Sequence, residues 1–379
     1  MIKIEISTEM QRRHLEYFQN KIVPNFDSAN YDEIFQRKVT KKKNKLKSAS
    51  PEQMQWFDEF KQQGMSTEFD DFIQICESNA ELLAIGDVNV LRTLYDEISV
   101  AYNAIHMSSA LEQEIYQDVI LELFGYERFS KRTSTEPTQP LYLESYCDNQ
   151  KFDTKWTPYT FVFLSNIRVC PYCNRQYITP ILTKDGKCRA DLDHFLPKSK
   201  YPYFSMSLYN LVPSCKFCNS SLKGDKDFTF DDPNPYCDNF NDYFKFKAEF
   251  KSLMEIDLNV HVNTRDKDIK NFLKVFKTEE LYKYHKNIAA DFIRKKLMWT
   301  DNLWTDLSKK GYNPYADQAA LKAAMIGYPY CKENINQEAL GKLKRDLAEQ
   351  LDFVKNGNED VDLIEKLKCI VKEAKRQCR

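Results

Sequence analysis

Through most of the chain apolar residues recur every three or four positions, and in the middle they do not. ALEQEIYQDVILELFG sets Leu111, Ile115, Val119, Ile120, Leu123 and Phe124 on one helical stripe, which Gly125 stops. SPEQMQWFDEFKQQG predicts another helix: Ser50 caps it, Pro51 takes the first position, Gln53 completes a capping box and Gly64 ends it. From about residue 156 to 236 the period changes. YTFVFL, CRADLDHF and YNLVPSC are short apolar or alternating runs, broken by turn chemistry such as Asp185-Gly186, and they predict hairpin strands. Beyond DDPNP (231–235), FKFKAEF and MEIDLNVHVN continue the strand pattern. Helical spacing then returns: Leu273, Phe276, Leu281 and Tyr284 mark one segment, and NQEALGKLKRDLAEQLDFVKNG another. SKRTSTEPTQP (130–140) has no apolar period and reads as a linker or surface loop. The expected fold is α+β: a helical region over 1–155, a compact α+β centre over 156–236, and a mainly helical region over 237–379.

Composition narrows the class. A net charge of −1 does not announce a nucleic-acid partner, so any such contact rests on local basic surface. The dense basic tract RKVTKKKNKLK, from Arg37 to Lys47, reads as a solvated or flexible segment, with nucleic-acid binding as its other reading. MIKIEISTEMQRRH lacks the apolar run of a signal peptide, and no stretch approaches the roughly 18 apolar residues of a membrane span. A cytoplasmic protein without membrane contact is expected. In that reducing setting the paired cysteines among the 11 are read as metal ligands before disulfides.

Four of those cysteines form two Cys-x-x-Cys pairs, Cys170 and Cys173 in VCPYCN and Cys215 and Cys218 in SCKFCN. Four thiolates at this spacing match a tetrahedral zinc site with no open position, which is therefore structural. The pairs lie about twice as far apart as the roughly 15–20 residues of an ordinary zinc ribbon. Cys188 and Cys237 fall outside the paired spacing.

The excess length carries candidate chemistry. DLDHFLPKS places Asp193 beside His194, whose ordinary pKa lets it take a proton near neutrality. Neighbours on a strand diverge, so the two reach one site only where the strand ends in a turn. Asn210 lies on the second predicted strand. Asn219 begins an expected helix, with Lys223 one turn on and on the same face. Oxygens from Asp193 and Asn219, completed by water and phosphate, suit Mg2+ or Mn2+. The set permits phosphodiester hydrolysis, with His194 taking a proton from water and Lys223 adding positive charge at the phosphate. His14, His106, His261 and His285 have no such companions and read as structural.

CPYC, DHFLPKS, NLVPSC, CKFCN and Lys223, in this order, resemble the HNH (ββα-metal) nuclease family over about 80 residues, around 160–236. The resemblance implies His194 as general base, Asp193 and Asn219 as metal ligands, and Asn210 as the residue that braces the loop. The four cysteines become a supporting zinc. Asn219 stands where the family often has His, a pattern that goes with Mg2+ rather than with zinc or nickel catalysis. More narrowly, CPYCN, DHFLPKSKYP, NLVPSCKFCN and KGD are similar to the nuclease subunits that accompany an ATPase in bacterial anti-phage defence, as in Septu and retron-associated systems. That implies a DNA-cleaving effector with an ATPase partner. The chain has no GxxxxGK[ST] loop, so nucleotide hydrolysis falls to the partner.

Thr160–Tyr236 carries ten Lys/Arg against seven Asp/Glu, a mild excess that leaves two other readings open. Arg175, Lys198, Lys200, Lys216 and Lys226 are candidate phosphate contacts, and Tyr201, Tyr203 and Phe204 read as packing before base stacking. One alternative is an RNA nuclease, because the same groups hydrolyse either backbone. The other is a zinc module that binds nucleic acid or a partner without catalysis, which has no need of Asp193-His194 with Asn219.

Overall fold

The computed structural model describes residues 3–46, 50–131, 155–182, 187–252, 255–263, 269–309, 315, 317–354 and 360–377. Side-chain oxygens start the N-terminal helices: Ser7 caps Thr8–Lys21, Asp27 caps Ser28–Lys45, Ser50 caps Pro51–Gln63, and Ser109 caps Ala110–Phe124. The Ser50–Gln53 capping box forms, and Gly64 and Gly125 end their helices at positive φ. Phe35, Phe57, Phe60, Phe69, Phe72 and Tyr116 fill the space between these helices.

The basic tract is not a flexible segment as far as Lys45; it is the last turns of Ser28–Lys45. Lys42 pairs with Glu114 and Asp118, Arg37 and Lys38 with Glu122, and Lys43 with Asp58. Acids of neighbouring helices therefore neutralise much of the charge that the linear sequence displays.

Among the described residues, six strands form three two-stranded antiparallel sheets. Strands β1 (Ile181–Leu182) and β2 (Lys187–Cys188) pair as a short hairpin, while Asp185-Gly186 lies outside the described residues. Strands β3 (Asp191–His194) and β4 (Leu211–Ser214) pair with Asp193 opposite Val212 and His194 opposite Leu211. Strands β5 (Phe244–Ser252) and β6 (Glu255–Val262) form the long hairpin expected of FKFKAEF and MEIDLNVHVN. Helices dominate, and these small sheets make the β part of an α+β fold.

YTFVFL is a correction. Pro158–Leu164 is a helix, started by a capping box between Thr157 and Thr160 with Pro158 at its first position. Tyr159, Phe161, Val162 and Phe163 are all buried, so the helix has no polar face and its period is invisible in sequence. The linker SKRTSTEPTQP lies outside the described residues beyond Lys131.

Two non-glycine residues reshape the C-terminal region. Lys277, at φ +49, splits the first expected helix into Lys270–Val275 and Thr278–Tyr282. Leu340, at φ +62, delays the second to Gly341–Gln350. Gly341 itself has no room for a side chain, since a Cβ there would lie 2.6 Å from the Ile335 carbonyl oxygen. Lys342, Asp346 and Gln350 lie on one face of this helix at i, i+4, i+8 and serve successive alternate residues of β5. Lys342 Nζ donates to Phe244 O (2.8 Å), the Phe246 amide donates to Asp346 (2.9 Å), and Gln350 bonds both backbone groups of Ala248 (2.9 Å each). Lys245 and Arg345 balance Asp346 and Glu349 around this buried row.

Candidate active site

The four paired cysteines converge. Their sulfurs lie within 4.8 Å of one another and all four residues are buried. The first knuckle turns tightly, with Asn174 N donating to Cys170 O (2.7 Å) and Cys170 N to Gln176 O (2.9 Å). In the second, the Cys218 amide donates to Cys215 Sγ (3.4 Å). Hydrogen bonds from Cys170, then Cys173 and Cys218, push the Cys215 thiol below its usual range, while burial pushes Cys170 up. A buried set of four sulfurs could hold a metal such as zinc. Cys188 and Cys237 stay outside it.

The knuckles bring β3, β4 and a short helix together. That helix runs Phe217–Lys223 and is wound more loosely than an α-helix, with Gly224 N donating to Asn219 O (2.8 Å), so Asn219 lies within it and does not start it. Asn219 and Lys223 both turn toward β3, but to different rungs. Asn219 Nδ2 donates to Asp191 Oδ2 (3.1 Å), whereas Lys223 Nζ donates to Asp193 Oδ1 (3.1 Å) and to the His194 carbonyl (2.6 Å). Asp193 and Lys223 form a buried ion pair, 4% and 2% exposed. Tyr172, between the first two cysteines, donates to Asp193 Oδ2 (2.6 Å). Burial raises the Asp193 pKa; Lys223 and Tyr172 oppose that, and the nearby Asp191 adds to it.

His194 ends β3 and faces another way. Its Nε2 lies 2.9 Å from the Ser205 carbonyl. A carbonyl only accepts, so Nε2 carries the proton and Nδ1 keeps the lone pair. Burial, reinforced by Lys198 and Lys223, lowers its pKa to about 3, so the ring is neutral at physiological pH. Tyr126 packs edge-on against it, 4.2 Å between centroids. Asn210 braces the intervening loop: its Oδ1 accepts from Leu196 N (2.7 Å) and its Nδ2 donates to Phe204 O (3.0 Å). The structure thus joins Asp193 with Lys223, Asn219 with Asp191, and His194 and Asn210 with the loop over 204–206.

Two participants escaped the sequence reading. Asp191 sits two residues before Asp193, on the same face of β3, and the period of a strand could have found it. Nothing in CPYC announced Tyr172. Of the candidate phosphate contacts, Arg175 donates to His285 Nε2 (3.0 Å), Lys198 lies over the Tyr126 ring, and Lys200 is 3.8 Å from Asp227. Lys226 bonds the Leu222 carbonyl, and Lys216 is exposed. Tyr201, Tyr203 and Phe204 are buried, as packing requires.

Comparison with known proteins adds partial likenesses. The chain is 30% identical to protein ea31 of Escherichia phage lambda over 145 residues, 34% of this chain and 44% of that protein. It is 33% identical to Septu protein PtuB of Bacillus thuringiensis over 106 residues, 26% of this chain and 38% of that protein. The chain therefore spans less than half the length of either relative. No family model matches, and no solved structure gives a significant match. Among the described residues, no helix is long and apolar enough to cross a membrane.

Proposed function

We propose that the chain is a metal-dependent endonuclease of the HNH (ββα-metal) type that hydrolyses phosphodiester bonds in DNA. The observation that carries this reading is His194: neutral, fixed through Nε2, and left with an Nδ1 lone pair at the end of the strand that bears Asp191 and Asp193. His194 Nδ1 takes a proton from water as the water oxygen attacks phosphorus and the P–O bond to the leaving oxygen breaks. Asp191 and Asp193 share one strand face with Asn219 beside them, and their oxygens are the kind of donor a hard divalent cation takes, in place of the hydrogen bonds that these carboxylates now accept from Asn219 Nδ2 and Tyr172. Asp193 and Asn219, with Asp191 adjacent, would hold Mg2+ or Mn2+, which supplies charge stabilisation at the phosphate. Lys223 holds Asp193 and the His194 carbonyl in place and brings positive charge to the same end of the strand. The four-cysteine set, filled by zinc, ties the two knuckles that frame these residues. The likeness to Septu protein PtuB supports a role in anti-phage defence, and the order of CPYCN, DHFLPKSKYP, NLVPSCKFCN and KGD supports an ATPase partner.

The test is cleavage of supercoiled plasmid by the purified chain with Mg2+. Plasmid should be cut by the native chain and left intact by His194→Ala. Equal cleavage by that variant would end the reading. Degradation of RNA with plasmid untouched would assign the same chemistry to RNA. No cleavage of either, even with a co-purifying partner, would leave a zinc-containing binding module.

A further inference from the structure

Three consecutive carbonyls in the loop after the candidate active-site strand each hold one side chain. Phe204 O accepts from Asn210 Nδ2 (3.0 Å), Ser205 O from His194 Nε2 (2.9 Å), and Met206 O is 2.7 Å from His14 Nε2. His14 comes from the first helix, Thr8–Lys21, and is fully buried. Its other nitrogen, Nδ1, accepts from the Trp156 indole N–H (3.2 Å). An acceptor at Nδ1 puts the proton on Nε2, so His14 donates to Met206 O in one fixed tautomer. With Phe204 O and Met206 O held on either side, the Ser205 carbonyl can turn only by a crankshaft rotation of its own peptide, ψ of Ser205 against φ of Met206, and releasing Met206 O frees the plane that limits this rotation.

We infer that His14 is a positioning residue for His194: by clamping the Met206 carbonyl it fixes the Ser205 carbonyl, and so the tautomer and ring orientation of His194. The inference rests on the nuclease reading only for its consequence in catalysis; the clamp itself is a property of the folded chain. A helix nearly two hundred positions away in sequence thereby sets which nitrogen of His194 is free.

The experiment uses the full chain with its five histidines labelled with 15N, and long-range 1H–15N spectra at neutral pH. His194 should appear as the single Nε2–H tautomer. In His14→Leu its resonances should shift toward a mixture of tautomers. In His14→Gln, whose Nε2 can still donate to Met206 O, they should return to the native positions. A folded His14→Leu with native His194 resonances overturns the inference. Should His14→Leu fail to fold, His14→Phe decides in its place, since it keeps a ring in the buried site and cannot donate to Met206 O; unchanged His194 signals there overturn the inference equally. Plasmid cleavage with Mg2+ gives the catalytic consequence: kcat falls roughly tenfold to a hundredfold in His14→Leu, the scale of a misplaced reacting group, while KM holds and His14→Gln recovers most of the rate. If His194→Ala still cuts, the nuclease reading fails, and the spectra judge the clamp by themselves.

Discussion

CPYCN and CKFCN look interchangeable, yet they face opposite ways. In the first knuckle Tyr172 is buried and bonded to Asp193; in the second the corresponding Phe217 is 41% exposed. Asn174, after the first pair, is buried at φ +52 and serves the C-terminal region: its Oδ1 accepts from Lys342 N (2.9 Å), its Nδ2 donates to Ile335 O (3.0 Å), and its carbonyl accepts from Leu340 N (2.6 Å). Asn219, after the second pair, is half-buried and reaches Asp191. The asparagine of the first knuckle anchors the C-terminal flank, while that of the second reaches the strand that carries Asp191 and Asp193. A repeated ligand motif thus fixes the sulfurs but leaves the following residue free for whichever neighbour the fold presents.

The largest effect should come from the shared core. Cys215→Ser should release zinc and lower Tm by roughly 10 °C, as the loss of several kcal/mol does in a chain of this size. Metal content by elemental analysis and a thermal melt check it, and unchanged zinc contradicts the four-cysteine site. The asparagines should then separate. Asn174→Ala strands two buried backbone groups and puts alanine in the left-handed region, costing about 2–4 kcal/mol in urea denaturation. Asn219→Ala should cost under about 1 kcal/mol and abolish plasmid cleavage. Equal stability losses would erase the distinction between the knuckles.

Tyr172→Phe keeps the stacking on Phe276, 4.4 Å between centroids, and removes only the hydroxyl at Asp193, for about 1–2 kcal/mol. Phe217→Leu should stay within about 0.5 kcal/mol, as an exposed position does. The smallest effect is the His285 share of the pH dependence, beside the larger shares of buried His14 and His194, whose pKa values are lowered to about 4 and about 3. Burial, and then the Arg175 charge, depress the His285 pKa below its ordinary value. The unfolded chain therefore binds this proton more readily, and stability declines as pH falls below about 6.5. Arg175→Gln should slightly flatten that decline in urea midpoints compared at pH 7.5 and 5.5; an unaltered slope would show that Arg175 does not act on His285.

The helix starts and stops around Ser50, Gln53, Gly64 and Gly125 were legible because capping is local chemistry, and so was the cysteine set, because its spacing is. Pro158–Leu164 was not, since a helix buried on every side shows no period. The breaks at Lys277 and Leu340 were hidden for another reason: non-glycine residues adopt positive φ only where tertiary contacts hold them there. In the candidate site, the residue types and their order were readable, but the pairings were not. Asn219 meets Asp191, and Lys223 meets Asp193, because a loosely wound helix sets their height against β3. The hold of Ser205 on His194 depends on a loop conformation that no residue in DHFLPKS encodes.

The row formed by Lys342, Asp346 and Gln350 has a consequence for assembly. Four helical residues rise about 6 Å and two strand residues about 6.6 Å, so a helix can follow a strand edge rung by rung for a short distance. Here side chains stand in for a third strand along Phe244, Phe246 and Ala248. That edge of β5 is closed to strand addition, whether by a partner peptide or by another copy of the chain. A single residue inserted between Lys342 and Asp346 would rotate the rest of the row by about 100° and reopen the edge to aggregation.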